Sequence, residues 1–199
     1  MRVMTGIAGA VRYVAFGFMT LFGVLATLFV AGYAFTDLAL ATAVALTAAW
    51  VVPMVVLSVL ALRRPEPMAR VLAWGAGIVS AATLLDSAVG IVPRDDWGPV
   101  LAIVVLALAV PLAFLGLHRT RTAGVLMVVL AGAQLAATVL GVALAGRGDD
   151  GPGPAGLLGT SSGVVVAPIL LTGLLYLAAA ALAREPRRPG GRTAVRPAH

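Results

Sequence analysis

The sequence predicts an all-α, polytopic membrane protein with six transmembrane helices in three antiparallel hairpins and both termini in the cytoplasm. Three observations support this prediction. The 199 residues are 61% hydrophobic and only 11% charged, whereas a soluble domain usually carries about 25% charged residues. Six apolar stretches are each long enough to cross a hydrocarbon core of about 30 Å at a helical rise of about 1.5 Å per residue. Arginine is concentrated in alternate turns, as is typical of cytoplasmic loops.

The turns between the predicted spans are short and rich in proline, glycine and charge, so consecutive helices are expected to be antiparallel neighbours. The spans are Val11–Phe35, Leu38–Leu62, Val71–Val92, Val100–Leu117, Ala123–Ala145 and Val164–Ala183. Arg2 lies ahead of the first span and Arg12 is at its start, as basic residues precede the apolar core of a signal peptide. That span is too long for a signal peptide, and we interpret it as retained. The turn between the third and fourth spans, Pro93–Pro99, is acidic.

The distribution of arginine predicts the orientation. Twelve arginines fall at the N-terminus, in the turns after the second and fourth spans and in the C-terminal tail, whereas the opposite side has only Arg94 and Arg147. Because arginine accumulates in cytoplasmic loops, both termini are predicted to be cytoplasmic. We expect a multi-pass protein of the plasma membrane, the inner membrane in a bacterium. Residues 1–183 form the predicted bundle. Residues 184–199 are an arginine-rich tail, expected to be disordered and to lie near anionic lipid headgroups.

The odd-numbered spans share a small-residue pattern. Ala-Thr pairs end at Thr27, Thr83 and Thr138, at steps of 56 and 55 residues. This repeat predicts three hairpins around a pseudo-threefold centre, with the three threonines at similar depth and facing the bundle. Two alternatives remain open: a 3+3 inverted repeat of the kind found in many transporters, and a chance recurrence of abundant residues.

Asp86 is the one ionisable residue in a predicted span that lies away from the span's ends. On a helical wheel it shares one broad sector with Val79, Thr83 and Gly90. A charged aspartate at mid-membrane costs about 2.5–3.5 kcal/mol. Two interpretations are open. Asp86 is either part of a proton- or cation-responsive site, or a protonated or water-linked aspartate packed against a neighbouring helix.

Three further polar residues lie within the apolar spans. Thr138 follows Gln134 by one helical turn on the fifth span, and Tyr176 is near the middle of the sixth. Buried amides and hydroxyls need hydrogen-bond partners in lipid, so these side chains are expected to point into the bundle. They either join helices or line a substrate cavity. The predicted intramembrane polar site comprises Asp86, Thr83, Gln134, Thr138 and Tyr176.

Composition narrows the function to two classes. The absence of cysteine excludes disulfides, thiolate metal sites and cysteine nucleophiles, and only two histidines are present. We predict no metal, no cofactor and no enzymatic activity. The arginines lie in short turns and a tail, so no nucleic-acid partner is expected. One class is a transporter, or a transporter's membrane subunit, that acts on a small solute or a proton. The other is a non-catalytic accessory or scaffold subunit with a membrane-protein partner.

Overall fold

The structure is built from helices alone within the part of the chain that it describes. The computed structural model describes residues 2–89, 94–145 and 161–183. In chain order the helices are α1 (Arg2–Asp37), α2 (Leu40–Arg63), α3 (Pro65–Val89), α4 (Arg94–Gly116), α5 (Thr120–Ala145) and α6 (Ser161–Leu182). The predicted tail at 184–199 and the acidic turn at 149 and 150 lie outside the described residues.

Five of these helices are long and apolar enough to cross a membrane. They are α1, α2, α3, α5 and α6, and the described apolar part of α4, Ile103–Gly116, is shorter. Large hydrophobic side chains such as Phe29 and Leu40 are exposed on the outer faces. A continuous apolar surface of this kind is unfavourable in water and expected in lipid. The all-α fold is therefore confirmed, and its apolar helices are those of a multi-pass membrane protein.

Helix α4 occupies the centre of the bundle. It packs against each of the other five helices, which form a ring in the order α1, α2, α3, α5, α6 and back to α1. Ala109, Leu112 and Ala113 of α4 are fully buried. A helix that is apolar on all sides suits this position, because protein covers most of its side chains between Ile103 and Gly116. The contacts do not give three equivalent hairpins, since no other helix occupies a position like that of α4.

Contacts between α1 and α4 show that these two helices are antiparallel. The rings of Phe16 and Phe114 meet edge to face, with centroids 4.9 Å apart. Seven residues later on α1, Gly23 lies against Val110, which is four residues earlier on α4. The residue numbers of the contacts rise along α1 as they fall along α4, so the two helices are antiparallel.

The same comparison places α5 antiparallel to α6. Gly124 lies against Leu177, whereas Val128 lies against Gly173. The residue numbers rise on α5 as they fall on α6, so the two helices run in opposite directions.

Helices α3 and α5, in contrast, are parallel. Glu66 at the start of α3 pairs with Arg119 just before α5, and Thr83 contacts Gln134 further along both helices. Odd-numbered α3 and α5 therefore run together and α6 runs against them, as the predicted alternation of spans requires.

Three helix ends differ from the predicted spans. Helix α1 begins at Arg2 and α3 at Pro65, each several residues before its apolar run. A helix can continue past the apolar run, and proline at its first position followed by Glu66 in the first turn favours the start of α3. Helix α4 begins at Arg94, so the predicted acidic turn is helical from that residue onward. These helices thus extend beyond the apolar runs that define the predicted spans.

Each of the three threonines of the predicted repeat makes the same type of hydrogen bond within its own helix. Thr83 is buried, Thr27 and Thr138 are half-buried, and none faces the outside. The hydroxyls of these threonines each donate to the carbonyl four residues earlier, at 2.6 Å for Thr27, 3.0 Å for Thr83 and 2.9 Å for Thr138. Such bonds satisfy a hydroxyl within its own helix. The prediction that all three turn away from the outer surface is met.

Candidate functional site

A line of polar side chains follows the inner side of α3 where it packs on α5. The α3–α5 seam consists of Ser80, Thr83, Asp86 and Ser87 on α3 with Gln134 and Thr138 on α5. Ser80, Thr83 and Gln134 are buried, and the other three are half-buried. Spacings of three and four residues keep polar side chains on one side of a helix. The seam therefore belongs to the interior of the bundle, although both helices are predominantly apolar.

One hydrogen bond crosses the seam. Gln134 Nε2 donates to Thr83 Oγ1 at 3.3 Å, and only 4% of Gln134 is exposed. The Thr83 hydroxyl in turn lies 3.0 Å from the carbonyl oxygens of both Val79 and Ser80. Bonds of this kind hold membrane helices together, because a buried amide without a partner is costly in hydrocarbon. Two of the five predicted site residues, Thr83 and Gln134, are thus in direct contact across the two helices.

Most hydroxyls of the seam donate to their own helix, and Ser80 is the exception. Ser87 Oγ donates to the Thr83 carbonyl at 2.8 Å, and Thr138 Oγ1 donates to the Gln134 carbonyl at 2.9 Å. Ser80 Oγ is fully hidden yet has no hydrogen-bond partner within the described residues. A buried polar atom without a protein partner is normally bonded to water or to a ligand.

Asp86 extends the seam toward one end of the bundle. It lies three residues beyond Thr83 on α3 and three residues before the end of that helix at Val89. Its side chain is half-buried and therefore does not project fully into the surroundings. The seam thus joins a carboxylate to a series of hydroxyl and amide groups that reach the interior. Hydroxyl, amide and carboxylate groups can bind water or a polar solute.

Tyr176 does not belong to the seam. Its hydroxyl donates to the Ala113 carbonyl of α4 at 2.7 Å, and none of its side chain is exposed. Its ring lies on Gly116, the last residue of α4, close to the Glu66–Arg119 end of the bundle. Thr83 lies seventeen residues beyond Glu66, or about 25 Å along α3. The structure therefore places Tyr176 near the opposite end of the bundle from Asp86.

Tyr176 completes the C-terminal cap of the central helix, a role that side-chain patterns did not predict. The last four carbonyls of a helix lack partners within the helix. In α4 each of the four accepts a hydrogen bond, namely Ala113 from Tyr176 Oη, Phe114 from Leu117 N, Leu115 from His118 N and Arg119 N, and Gly116 from Thr120 Oγ1. Thr120 is the first residue of α5 and Tyr176 belongs to α6, so two of these donors come from other helices, and Tyr176 is the one that is distant in sequence. The bond to the Ala113 carbonyl gives the buried Tyr176 hydroxyl a structural role.

Arg12 lies within α1, at the second position of the predicted first span, Val11–Phe35. Its guanidinium carbon is 5.1 Å from the centroid of the Tyr13 ring, a cation–π geometry, and its Nε is hidden without a partner in the described part of the chain. The adjacent arginine and tyrosine are the sequence signal for a membrane-interface position.

Comparison with protein-family models, with curated proteins and with solved structures gave no match. The function must therefore be inferred from the residues themselves. Within the described ranges no group of three or more His, Cys, Asp or Glu side chains could hold a metal ion. What those ranges do contain is hydroxyl, amide and carboxylate chemistry along α3 and α5.

Proposed function

We propose that this protein transports a small solute or protons, alone or as the membrane subunit of a transporter, and that the α3–α5 seam is its polar site. In this proposal the bundle has six spans, lies in the plasma membrane and has both termini in the cytoplasm. It has no catalytic activity and no cofactor. The bundle's apolar exterior and its polar inner seam are the features that a solute pathway through lipid requires.

The observation that carries the proposal is the buried hydroxyl of Ser80. It has no partner in the described residues, and the same is true of the Thr20 and Thr47 hydroxyls on α1 and α2. Ser80 differs from those two because it lies one turn from Thr83, which accepts the cross-helix bond from Gln134. Leaving a buried polar group unsatisfied costs about 1–3 kcal/mol. A water molecule or a solute beside Ser80 would remove this cost, and it would stand next to Thr83 and the Gln134 amide.

Asp86 provides the second line of support. Ionisable side chains within membrane spans are expensive and usually face the bundle or a wet cavity. Asp86 is half-buried and continues the line of polar residues that begins at Ser80. In the proposal it is the group that takes up and releases a proton, or that attracts a cation, at one end of the seam.

The test is flux through the purified protein in sealed vesicles. We expect vesicles that contain the protein to dissipate an imposed pH gradient faster than empty vesicles, as reported by a trapped pH-sensitive dye. Asp86→Asn keeps the size of the side chain but removes its titration, and should abolish the difference. Asp37→Asn removes an exposed carboxylate at the end of α1 and should leave the flux intact. Equal flux in empty and protein-containing vesicles would overturn the proton version of the proposal.

An accessory or scaffold role is the second candidate, and one observation favours it. Thr83, Ser87 and Thr138 all donate to backbone carbonyls of their own helices, and Gln134 donates to Thr83. A polar network that satisfies itself in this way is sufficient for helix packing alone. This candidate predicts that Asp86→Asn changes neither flux nor stability, and that the protein acts through a membrane-protein partner.

The proposed orientation has a separate test. Reporter fusions at Glu66 and Arg121 should give a cytoplasmic signal, and fusions at Asp96 and Asp149 an external one. The prediction rests on the excess of arginine in alternate turns. An external signal at Glu66 would reverse the assignment without affecting the seam.

A further inference from the structure

The polar side chains of the α3–α5 seam occupy only one half of these parallel helices. The first of them are Ser80 on α3 and Gln134 on α5. Before these residues, the stretches 71–79 of α3 and 123–133 of α5 contain no charged, amide or hydroxyl side chain. The stretch 103–116 of the central helix α4 contains none either. The line of polar groups therefore stops part-way through the bundle.

The apolar half is filled by side chains from three helices, and we call three of them the leucine layer. Leu72 of α3, Leu112 of α4 and Leu130 of α5 are fully buried members of one hydrophobic core. Leu72 precedes Thr83 by eleven residues, close to three full turns, and so lies on the same side of α3. Leu130 precedes Gln134 by about one turn on α5. Both leucines are thus in line with the hydrogen bond that crosses the seam.

Helix α4 contributes the third leucine of the layer. The end of α4 lies at the same end of the bundle as the starts of α3 and α5, so α4 is antiparallel to both. Leu108 of α4 lies against Gly75 of α3. Leu112 follows Leu108 by about one turn on the same side of α4, whereas Leu72 precedes Gly75 by three residues on α3. The two leucines therefore lie at similar depth where α3 packs on α4.

Burial along α3 gives the seam a direction. Thr83 is buried, whereas Asp86 and Ser87 further along the helix are half-buried. In the other direction, Ser80 is fourteen residues from Glu66, or about 21 Å along α3. The leucine layer lies within that distance, and beyond it the Glu66–Arg119 pair joins α3 to the start of α5. The polar groups of the seam are thus continuous with the Asp86 end of the bundle alone.

We propose that the leucine layer is a gate, which closes the seam toward the Glu66–Arg119 end while access remains from the Asp86 end. Apolar constrictions exclude water and ions by staying dry, and transfer of a charged group into such a layer is costly. A solute or proton that enters at Asp86 therefore stops near Thr83 until α3, α4 and α5 separate at the layer. This inference rests on the transport proposal, and it adds the side of access and the controlled step.

Thiol labelling from each side of the membrane tests the direction of access. Ser87→Cys in the cysteine-free chain is treated with a small charged thiol reagent in right-side-out and in inverted membrane vesicles. Asp37→Cys and Arg121→Cys replace exposed residues at opposite ends of the bundle, so they report which face is outermost. Ser87→Cys should react only where Asp37→Cys reacts. Equal reaction in both vesicle types, reaction only where Arg121→Cys reacts, or no reaction in either would overturn the proposal.

A variant of the leucine layer tests the gate itself. Leu72→Ser with Leu130→Ser makes room for water and supplies hydroxyl groups, so Ser87→Cys should then react in both vesicle types. The single substitutions Leu72→Ser and Leu130→Ser repeat the test with less disturbance of the core, and circular dichroism verifies that each variant is folded. Labelling that stays one-sided in all of the folded layer variants would contradict the gate.

A matched control removes similar volume from another part of the core. Leu106→Ser with Ile169→Ser changes two buried aliphatic side chains. Leu106 precedes Val110 by about one turn, and Val110 lies against Gly23 of α1, so Leu106 is on the α1 side of α4. Ile169 belongs to α6. Labelling of Ser87→Cys should stay one-sided in this control, and two-sided labelling would show that any loosening of the core opens the seam.

Flux separates failure of the gate from failure of the proposed function. In sealed vesicles the layer variant should dissipate a pH gradient several times faster than the wild type. Wild-type flux no greater than that of empty vesicles would contradict transport, whatever the labelling shows. Two-sided labelling of Ser87→Cys with an intact leucine layer and with wild-type flux would contradict the gate alone.

Discussion

The hydroxyl of Tyr176 donates to the carbonyl of Ala113 at 2.7 Å, so a side chain of α6 caps the central helix α4. The bond satisfies the remaining free carbonyl at a helix end where Ala113, Leu115 and Gly116 are buried. In the ring of helices around α4, this contact ties α6 to the centre at the same end as the Glu66–Arg119 pair. The tyrosine thus stabilises the scaffold on which the α3–α5 seam is held.

Removal of this hydroxyl should destabilise the bundle. We expect Tyr176→Phe to lower the free energy of unfolding by about 0.6 kcal/mol and by no more than about 1.7 kcal/mol, the average and the maximum for hydrogen bonds between membrane helices. The measurement is unfolding by sodium dodecyl sulfate in mixed micelles, followed by circular dichroism. Tyr33→Phe is the matched control, because Tyr33 is exposed on α1 and should be silent. Equal stability of the two variants would show that the cap contributes nothing.

The crossing of α5 and α6 depends on glycine at one position. A Cβ at Gly124 would lie 2.9 Å from the Gly173 carbonyl oxygen, whereas a Cβ at Gly132 of the same helix would meet nothing within 4 Å. Gly124→Ala should therefore cost about 1–3 kcal/mol by overpacking. Gly132→Ala should be neutral or stabilise the helix by up to about 1 kcal/mol. The same unfolding assay applies, and a neutral Gly124→Ala would contradict the close approach.

The contact between Thr83 and Gln134 should appear as an energetic coupling. A double-mutant cycle of Thr83→Val and Gln134→Leu should give about 0.6 kcal/mol of interaction free energy. The control cycle combines Thr27→Val with Gln134→Leu. Thr27 lies on α1, and its hydroxyl donates to the Gly23 carbonyl. That cycle should be additive. Additivity in both cycles would mean that the bond across the seam has no energetic consequence.

The effect of Ser80→Ala on the free energy of unfolding distinguishes a hydrated seam from a dry one. If its hydroxyl is bonded to water or solute, Ser80→Ala should not raise the free energy of unfolding. If the hydroxyl is dry and unsatisfied, the substitution should stabilise the protein by about 1–3 kcal/mol. The account predicts the first result. Ser58→Ala is the control, since Ser58 Oγ already donates to the Met54 carbonyl at 2.7 Å and its removal should change little.

Hydropathy was sufficient to predict the helices but not their arrangement. Runs of apolar residues identified every helix, because a bilayer requires long apolar stretches whatever their neighbours are. The ends of α1 and α3 were missed, since polar residues such as Arg2 and Glu66 continue a helix beyond its apolar run. The central place of α4 follows from packing among six helices, all of them strongly apolar. No residue pattern within α4 records which neighbours surround it.

The polar site could also be predicted only in part, because a sequence pattern identifies polar residues in apolar spans but not the groups that they contact. Thr83 and Gln134 stood out as polar residues in apolar spans, and the structure joins them across α3 and α5. Tyr176 stood out equally, but its partner is a backbone carbonyl, which no side-chain pattern reveals. Tyr176 lies beside Gly116 at the end of α4 and therefore apart from Thr83 and Gln134. Grouping by residue type therefore merged two separate locations into one site.

The account's central claim is that water reaches the α3–α5 seam, and cysteine accessibility tests it most directly. The chain has no cysteine, so single-cysteine variants react without background. Asp86→Cys and Ser87→Cys place a thiol on the seam, whereas Ala82→Cys and Leu85→Cys place one on the exposed face of α3 at the same depth. The rate of modification by a charged, membrane-impermeant thiol reagent is measured in vesicles. The account predicts that the seam thiols react several times faster than the outward-facing pair. Equal rates, or no reaction at either seam position, would contradict it.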